Sequence, residues 1–330
     1  VCREIGGIIE RRLFDLRKTR IAALLLAVIL IAASPAAAYG GGLNGWAYDA
    51  IEFTAEKMTK EIKIALIDTG VSTKRLNPEL VEPGKNYVFE GSNTEDLNGH
   101  GTRVASLILG CADEKGSLPP LAGNVRIIPL VYYSHYASGV PKNGGVGAIC
   151  AAIYDAVDLY GCRVINISSG VAAPDDRLAA AVKYAEEHDI IVVSAVGNDN
   201  IRSPGKKYYP AAYDTVVGVG AANEKLEPSA FSQQNDGMII YAPGENLSVV
   251  SIKNSRVFET VSGTSYATAF VCALAANMLA RYPGMTPEQF RSALTNSCAA
   301  DGKTAIVSFR NAFDFYEKTI QNQKEEKKHE

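Results

Sequence analysis

Apolar residues along this chain alternate between two patterns. Continuous, largely β-branched runs at Lys63–Asp68, Val125–Val131, Arg163–Ser168, Ile190–Val196, Thr215–Ala221 and Met238–Ala242 predict strands. Between them, apolar positions recur at helical spacing over His100–Leu109, Val146–Leu159 and Asp175–His188, and again over Ser265–Arg281 and Thr286–Leu294. Strands that are apolar throughout, rather than at every second position, are buried on both faces. The alternation therefore predicts an α/β domain, doubly wound, with a mostly parallel central sheet and helices on both faces. Ala47–Lys60 has a looser helical periodicity. No internal repeat or Pro/Ser-rich linker divides the region.

The ends of the chain read differently. Arg11, Arg12, Arg17, Lys18 and Arg20 precede an uninterrupted apolar run from Ile21 to Ala33, and Ser34-Pro35-Ala36-Ala37-Ala38 follows. A basic flank, a short apolar stretch and small residues at its end predict a signal peptide over residues 1–38, cut after Ala38. The alternative is an uncleaved N-terminal membrane anchor, although the run is short for a span of about 20 residues. Either reading puts the rest outside the cytoplasm, secreted in the first case and membrane-anchored in the second. Residues 39–46, rich in Gly, read as a flexible lead-in, residues 47–316 as the main domain and residues 317–330 as a charged, solvated tail. The stretch between the predicted cleavage site and the first strand at Lys63 reads as too short for a folded pro-domain of about 50 residues or more.

Composition narrows the function. Of 330 residues, 47% are hydrophobic and 21% charged, as in an ordinary globular protein. A net charge of −3 with no basic stripe argues against nucleic acid as a partner. A membrane is a partner only if the N-terminal segment is retained. Cleavage would leave Cys111, Cys150, Cys162, Cys272 and Cys298, an odd set. Cys272 sits in an apolar helical run and reads as a small core residue, while the pairing of the others stays open. No zinc-ligand spacing is present, so no metal site is assigned.

Four residues carry candidate chemistry. Asp68 ends an apolar strand and is followed by Thr69-Gly70; carboxyl ends of strands form the ligand crevice of α/β sheets. His100 lies between glycines at a helix start. Ser265 stands in the first turn of a long apolar helix, where unsatisfied N–H groups favour negative charge. Asn198 follows Gly197 at a strand end and offers a side-chain amide donor. Each also has an ordinary role: helix cap for Asp68 and Ser265, structural or surface histidine for His100, turn residue for Asn198. Together they supply what a serine nucleophile needs, namely a base and a group that orients the base.

In the order Asp, His, Asn, Ser, these segments resemble the subtilisin-like serine proteases. Asp68-Thr69-Gly70, His100-Gly101-Thr102-x-Val104-Ala105 and Gly263-Thr264-Ser265-x-Ala267 match the three signatures of that family. Ile165-Asn166-Ile167-Ser168, Tyr209-Pro210-Ala211, Phe231-Ser232 and Ala242-Pro243-Gly244 extend the likeness from about Ala47 to Phe315. The resemblance implies that Asp68 orients His100, that His100 is general base and acid, and that Ser265 is the nucleophile. Asn198 and the Ser265 N–H would form the oxyanion hole. Ser168, Ser169, Gly170, Ala195, Val196 and Gly197 would wall the pocket for the residue before the scissile bond. A protein or peptide substrate would bind as an extended strand. The chemistry would require no cofactor. Structural calcium, which many members bind, has no intact ligand set here; Glu79 is a stray carboxylate. Departures include Ala269 for a usual Pro, Arg103 for His, Ser106 for Gly, and Ser169 and Val171 in the pocket strand. The expectation is an exported serine endopeptidase with an Asp-His-Ser triad and an acyl-enzyme intermediate, with a processing role and general degradation as the two readings of its task. The alternative is an inactive binding or scaffolding protein on the same fold.

Overall fold

The computed structural model describes residues 42–53, 60–113, 116–136, 138–237, 239–253, 257–298 and 306–329. The apolar runs form strands within two residues of the predicted limits. In chain order the strands are β1 (Ile62–Asp68), β2 (Lys85–Asn86), β3 (Cys111–Asp113), β4 (Gly116–Leu118), β5 (Val125–Val131), β6 (Tyr133–His135) and β7 (Pro141–Asn143). There follow β8 (Val164–Ile167), β9 (Ile191–Ala195), β10 (Val217–Ala222), β11 (Ile239–Pro243), β12 (Leu247–Val250) and β13 (Phe258–Val261). Seven of these make one sheet in the order β11-β10-β9-β8-β1-β5-β2, with every pairing parallel. The short antiparallel pairs β3–β4, β6–β7 and β12–β13 stand apart from it.

Both faces of the sheet are covered, which is why its strands are apolar at consecutive positions. On one face Ala65, Ile67, Ile165, Ile167 and Val192 pack with Ile149 and Ile153 of the helix Gly145–Asp158 and with Leu178 and Val182 of the helix Asp176–Glu187. On the other face lie the helices His100–Leu109 and Thr264–Arg281. The second of these is buried along all but its last residue, consistent with a sequence apolar on every side. Cys272 is wholly buried on it, and burial holds its thiol well above the ordinary range. Cys150, Cys162, Cys272 and Cys298 are free thiols.

The connections define where a ligand can sit. After β1 the chain runs to β2 and β5 on one side of the sheet; after β8 it runs to β9, β10 and β11 on the other. The crevice outside the carboxyl ends of β1 and β8 is thus the topological switch point. Asp68 closes β1 there, and Ser168 follows β8.

Of the lead-in 39–46, residues 42–46 are described. Asn44 is buried, accepting from the Ser248 N–H at 2.6 Å and donating to the Ser248 carbonyl at 2.9 Å, so β12 pins it. The periodicity over Ala47–Lys60 yields only the helix Gly45–Ala50, which ends as Glu52 adopts φ 48°; residues 54–59 lie outside the described set. The segment 1–38 likewise lies outside it. Among the described residues no helix is long and apolar enough to cross a membrane. The charged tail continues the helix Phe309–His329, whose start is buried and whose residues 321–326 are exposed.

One contact joins the two faces of the crevice. A Cβ on Gly101 would lie 2.2 Å from the Gly70 carbonyl oxygen, so the helix start and the turn after β1 meet backbone to backbone. Gly101→Ala is therefore expected to destabilise the fold by about 1–3 kcal/mol, the usual cost of overpacking. Urea denaturation would measure this, and an unchanged midpoint would contradict the contact.

Candidate active site

The orphan N–H groups at the start of the His100–Leu109 helix are capped from outside the helix. Gly99, the residue before it, has φ 95° and no side chain to offer. Instead the His100 N–H donates to Asn98 Oδ1 at 3.2 Å, the Gly101 N–H to Thr69 Oγ1 at 2.9 Å and the Thr102 N–H to Asp96 Oδ2 at 2.8 Å. Capping from Thr69, the residue after Asp68, locks the helix start onto the end of β1.

That lock sets the first functional pair. His100 Nδ1 lies 2.8 Å from Asp68 Oδ1 and 3.0 Å from Oδ2. A carboxylate accepts, so Nδ1 carries the proton and Nε2 keeps its lone pair. Asp68 is 2% exposed, and the Thr69 N–H at 2.7 Å also donates to its Oδ1. Burial opposes charge on His100. The Asp68 carboxylate, with its hydrogen bond and then the Asp96 carboxylate, outweighs burial and raises the His100 pKa above its ordinary value, while Arg103 pulls it down.

Ser265 occupies the second position of its helix, 7% exposed. Its strand-side neighbour fixes its backbone. Asn166, buried in mid-β8, donates from Nδ2 to Ser168 Oγ at 2.7 Å; Ser168 Oγ donates to the Ser265 carbonyl at 3.3 Å; Thr268 Oγ1 donates to the same carbonyl at 2.7 Å. The Ser265 hydroxyl donates to the Ser168 carbonyl at 3.1 Å. It makes no hydrogen bond to His100 in this arrangement, so pairing the two requires rotation about the Ser265 side chain.

Asn198 sits across the same crevice. Its Oδ1 accepts the Thr264 N–H at 2.8 Å, which orients the amide and leaves Nδ2 to donate elsewhere. A Cβ on Gly263 would stand 3.6 Å from that nitrogen. The Tyr266 and Ala267 N–H groups turn back to the Gly263 carbonyl. Among the first-turn donors, the Ser265 N–H is left for a group outside the helix.

A cavity of about 360 Å³ opens beside these residues, lined by Ser168, Ser169, Gly170, Ala195, Gly197, Asn198, Asp199, Tyr208, Thr264 and Ser265. Val196 departs from the expectation. Next to Ala195 at the strand end, it points to the opposite face and lines a separate cavity of about 570 Å³ with Ala211, Val217 and Ile240. Sequence reasoning missed Tyr208, whose ring lies where a Cβ on Gly197 would meet it at 2.7 Å and whose hydroxyl donates to Asp199 Oδ2 at 2.5 Å. Nothing local to Tyr208 signals this placement. Asp96 was also missed: it lies three residues before Gly99, the residue at the capping position, so the local sequence does not mark it as a cap. Glu79 lies in a short surface turn, and among the described residues no group of three His, Cys, Asp or Glu side chains is placed to hold a metal.

Three of the departures from the family pattern, Arg103, Ser106 and Ala269, have a clear setting. Arg103 Nε donates to Glu259 Oε1 at 2.8 Å. Ser106, fully buried, donates to the Arg103 carbonyl at 2.7 Å and accepts the Val250 N–H at 3.1 Å, tying the helix to β12. Ala269 is fully buried in the Ser265 helix.

Comparison with known proteins agrees with this geometry. The profile of the Subtilase family, Peptidase S8, matches residues 59–319. An alkaline protease of Alkalihalobacillus alcalophilus is 33% identical over 246 residues, 74% of this chain and 61% of that protein. Mycosin-4 of Mycobacterium tuberculosis (strain ATCC 25618 / H37Rv) is 35% identical over 263 residues, 69% of this chain and 57% of that protein. Both relatives are thus matched over less than two thirds of their length. The structure of fervidolysin from Fervidobacterium pennivorans, described as a keratinolytic enzyme related to subtilisin, superposes with a TM-score of 0.71 at 25% identity, covering 85% of this chain and 47% of that one.

The charge balance at His100 gives a test that needs no substrate. Removing Arg103 removes a cation that lowers the His100 pKa and also leaves the Glu259 carboxylate uncompensated; both changes favour the imidazolium. Arg103→Gln is expected to raise the His100 pKa, shrinking the neutral, base-competent fraction at any pH near the midpoint. An NMR titration of His100 reads this directly, and a fall in the pKa would refute the assignment.

Proposed function

The chain belongs to the subtilase family, and from that premise we propose that it is a serine endopeptidase acting through Asp68, His100 and Ser265. The observation that carries the reading is the Asp68–His100 pair, held at the switch point beside a serine at a helix start. In this reading the Ser265 hydroxyl leaves the Ser168 carbonyl and donates to His100 Nε2. His100 takes the proton as Oγ attacks the scissile carbonyl, then gives it to the leaving amine. Asp68 holds the imidazole and stabilises its charged form. The Ser265 N–H and Asn198 Nδ2 receive the oxyanion, and water hydrolyses the acyl-enzyme with His100 again as base. No step calls on a cofactor.

The substrate is a peptide segment bound in extended form, with the side chain before the scissile bond in the cavity between Ser168–Gly170 and Ala195–Gly197. Residues 47–316 form the catalytic domain, residues 1–38 direct export, and the charged tail takes no part in chemistry.

Labelling with a fluorophosphonate tests the nucleophile: the wild type is expected to label, and Ser265→Ala is not. Failure of the folded wild type to label would favour the inactive, binding reading. Asn198 is tested by replacement with Asp, which keeps the acceptor for the Thr264 N–H but removes the donor. Asn198→Asp is expected to lower kcat by about 100-fold or more with little change in KM. Unchanged kcat would remove Asn198 from the oxyanion hole.

A further inference from the structure

Asp96 is 3% exposed, and its carboxylate collects five donors. Oδ1 accepts the Thr69 hydroxyl at 2.9 Å, the Asn98 N–H at 3.0 Å and the Gly99 N–H at 2.7 Å. Oδ2 accepts the Thr102 N–H at 2.8 Å and the Thr102 hydroxyl at 2.6 Å. These donors come from both sides of the crevice: Thr69 follows Asp68 in the turn after β1, while Asn98, Gly99 and Thr102 surround His100. A relay links them further, because the Gly101 N–H donates to Thr69 Oγ1 and the Ser72 N–H to Thr102 Oγ1.

Burying a carboxylate is costly unless it is fully hydrogen-bonded, and five donors meet that requirement. A cap for the helix alone would need only the Thr102 N–H. The arm to Thr69 spans 27 positions in sequence, and it orients a hydroxyl that itself reaches across the crevice to the Gly101 N–H. It fixes the residue after Asp68 relative to the residues flanking His100.

We propose that Asp96 is a positioning residue of the active site, holding the turn after Asp68 and the loop bearing His100 at the separation that the Asp68–His100 hydrogen bond requires. The proposal rests on the assignment of His100 as the base. Asp96 touches neither His100 nor the nucleophile by hydrogen bond; it acts through Thr69 and Thr102. The charged and titratable groups around His100 are Asp68 from β1, Asp96 from the preceding loop, Arg103 from its own helix with Glu259 of β13 behind it, and Tyr266 of the Ser265 helix, whose ring centroid is 5.7 Å from that of His100. Asp96 thus also supplies a second negative charge that favours the imidazolium.

The decisive variant is Asp96→Asn. An amide keeps an acceptor for one side of the cluster but turns an N–H₂ toward the Thr102 N–H, so one arm must open. Two readouts are taken on the full chain. The first is kcat and KM on a peptide substrate, well below the unfolding temperature. The expectation is a fall in kcat of about 100-fold, the scale of a misplacement near 1 Å, with KM little changed. The second is NMR of His100, with its pKa lowered and the low-field Nδ1–H signal shifted upfield or lost. Thr69→Val, which cuts the arm from Asp96 and also removes the acceptor of the Gly101 N–H while leaving the Asp96 carboxylate in place, is the second variant should Asp96→Asn fail to fold. It is expected to weaken the same signal and to lower kcat less. Asp96→Glu should not restore the wild-type values, because the longer side chain cannot place both oxygens among the same donors.

Unchanged kcat and an unchanged Nδ1–H signal in a folded Asp96→Asn or Thr69→Val would overturn the proposal. So would a loss of stability with both readouts intact, since that is all a purely structural cap predicts. If the wild type itself shows no turnover, the endopeptidase reading fails, and the NMR signal still tests whether Asp96 positions the Asp68–His100 pair.

Discussion

The backbone contact between Gly70 and Gly101 is the constraint from which the site follows. With no side chain on either residue, the turn after β1 and the start of the His100 helix come together closely enough for the Gly101 N–H to reach Thr69 Oγ1. Asp68 sits two residues before Gly70 and His100 one residue before Gly101. Their 2.8 Å hydrogen bond is therefore a consequence of how two elements on different layers meet, not of any flexibility in the side chains. Widening the crossing would lengthen that bond and unseat the caps of the helix together.

The serine half of the crevice is built by a separate set of ties to the same sheet. Ser168 just past β8, oriented by Asn166 within that strand, donates to the Ser265 carbonyl, and Asn198 beyond β9 accepts the Thr264 N–H. Each of β1, β8 and β9 thus contributes one attachment at its carboxyl end, and the two helix starts are bolted to adjacent strands. Parallel strands make this arrangement natural, because they put all their carboxyl ends on one edge. The electrostatics follow the same plan. Two carboxylates press His100 toward its charged form, against burial and Arg103, while the Ser265 N–H in the first turn of its helix is left to donate outside the helix.

Much of this was legible in the chain. The strands were readable because burial on both faces leaves no polar interruptions, and their limits followed the apolar runs closely. Asp68, His100, Asn198 and Ser265 were readable because each stands beside glycine or a helix start in a recognisable local setting. Other features had no such local signal. The hairpins β3–β4, β6–β7 and β12–β13 are too short for periodicity to speak. Asn44 looked like part of a mobile Gly-rich stretch because its partner, Ser248, is 204 residues away. Val196 was placed with Ala195 and Gly197 by adjacency, whereas the strand end sends neighbouring side chains to opposite faces.

By itself the sequence determined the layered α/β frame, the four chemical groups and their family, since these depend on local pattern and on residue types that few other settings require. Tertiary structure alone decided which donors surround Asp96, that Tyr208 meets Asp199 across the cavity, and that the Ser265 hydroxyl rests on the Ser168 carbonyl. Those contacts join segments far apart in the chain, and their existence depends on ångström-scale distances between packed layers. Residue order carries no direct record of such distances.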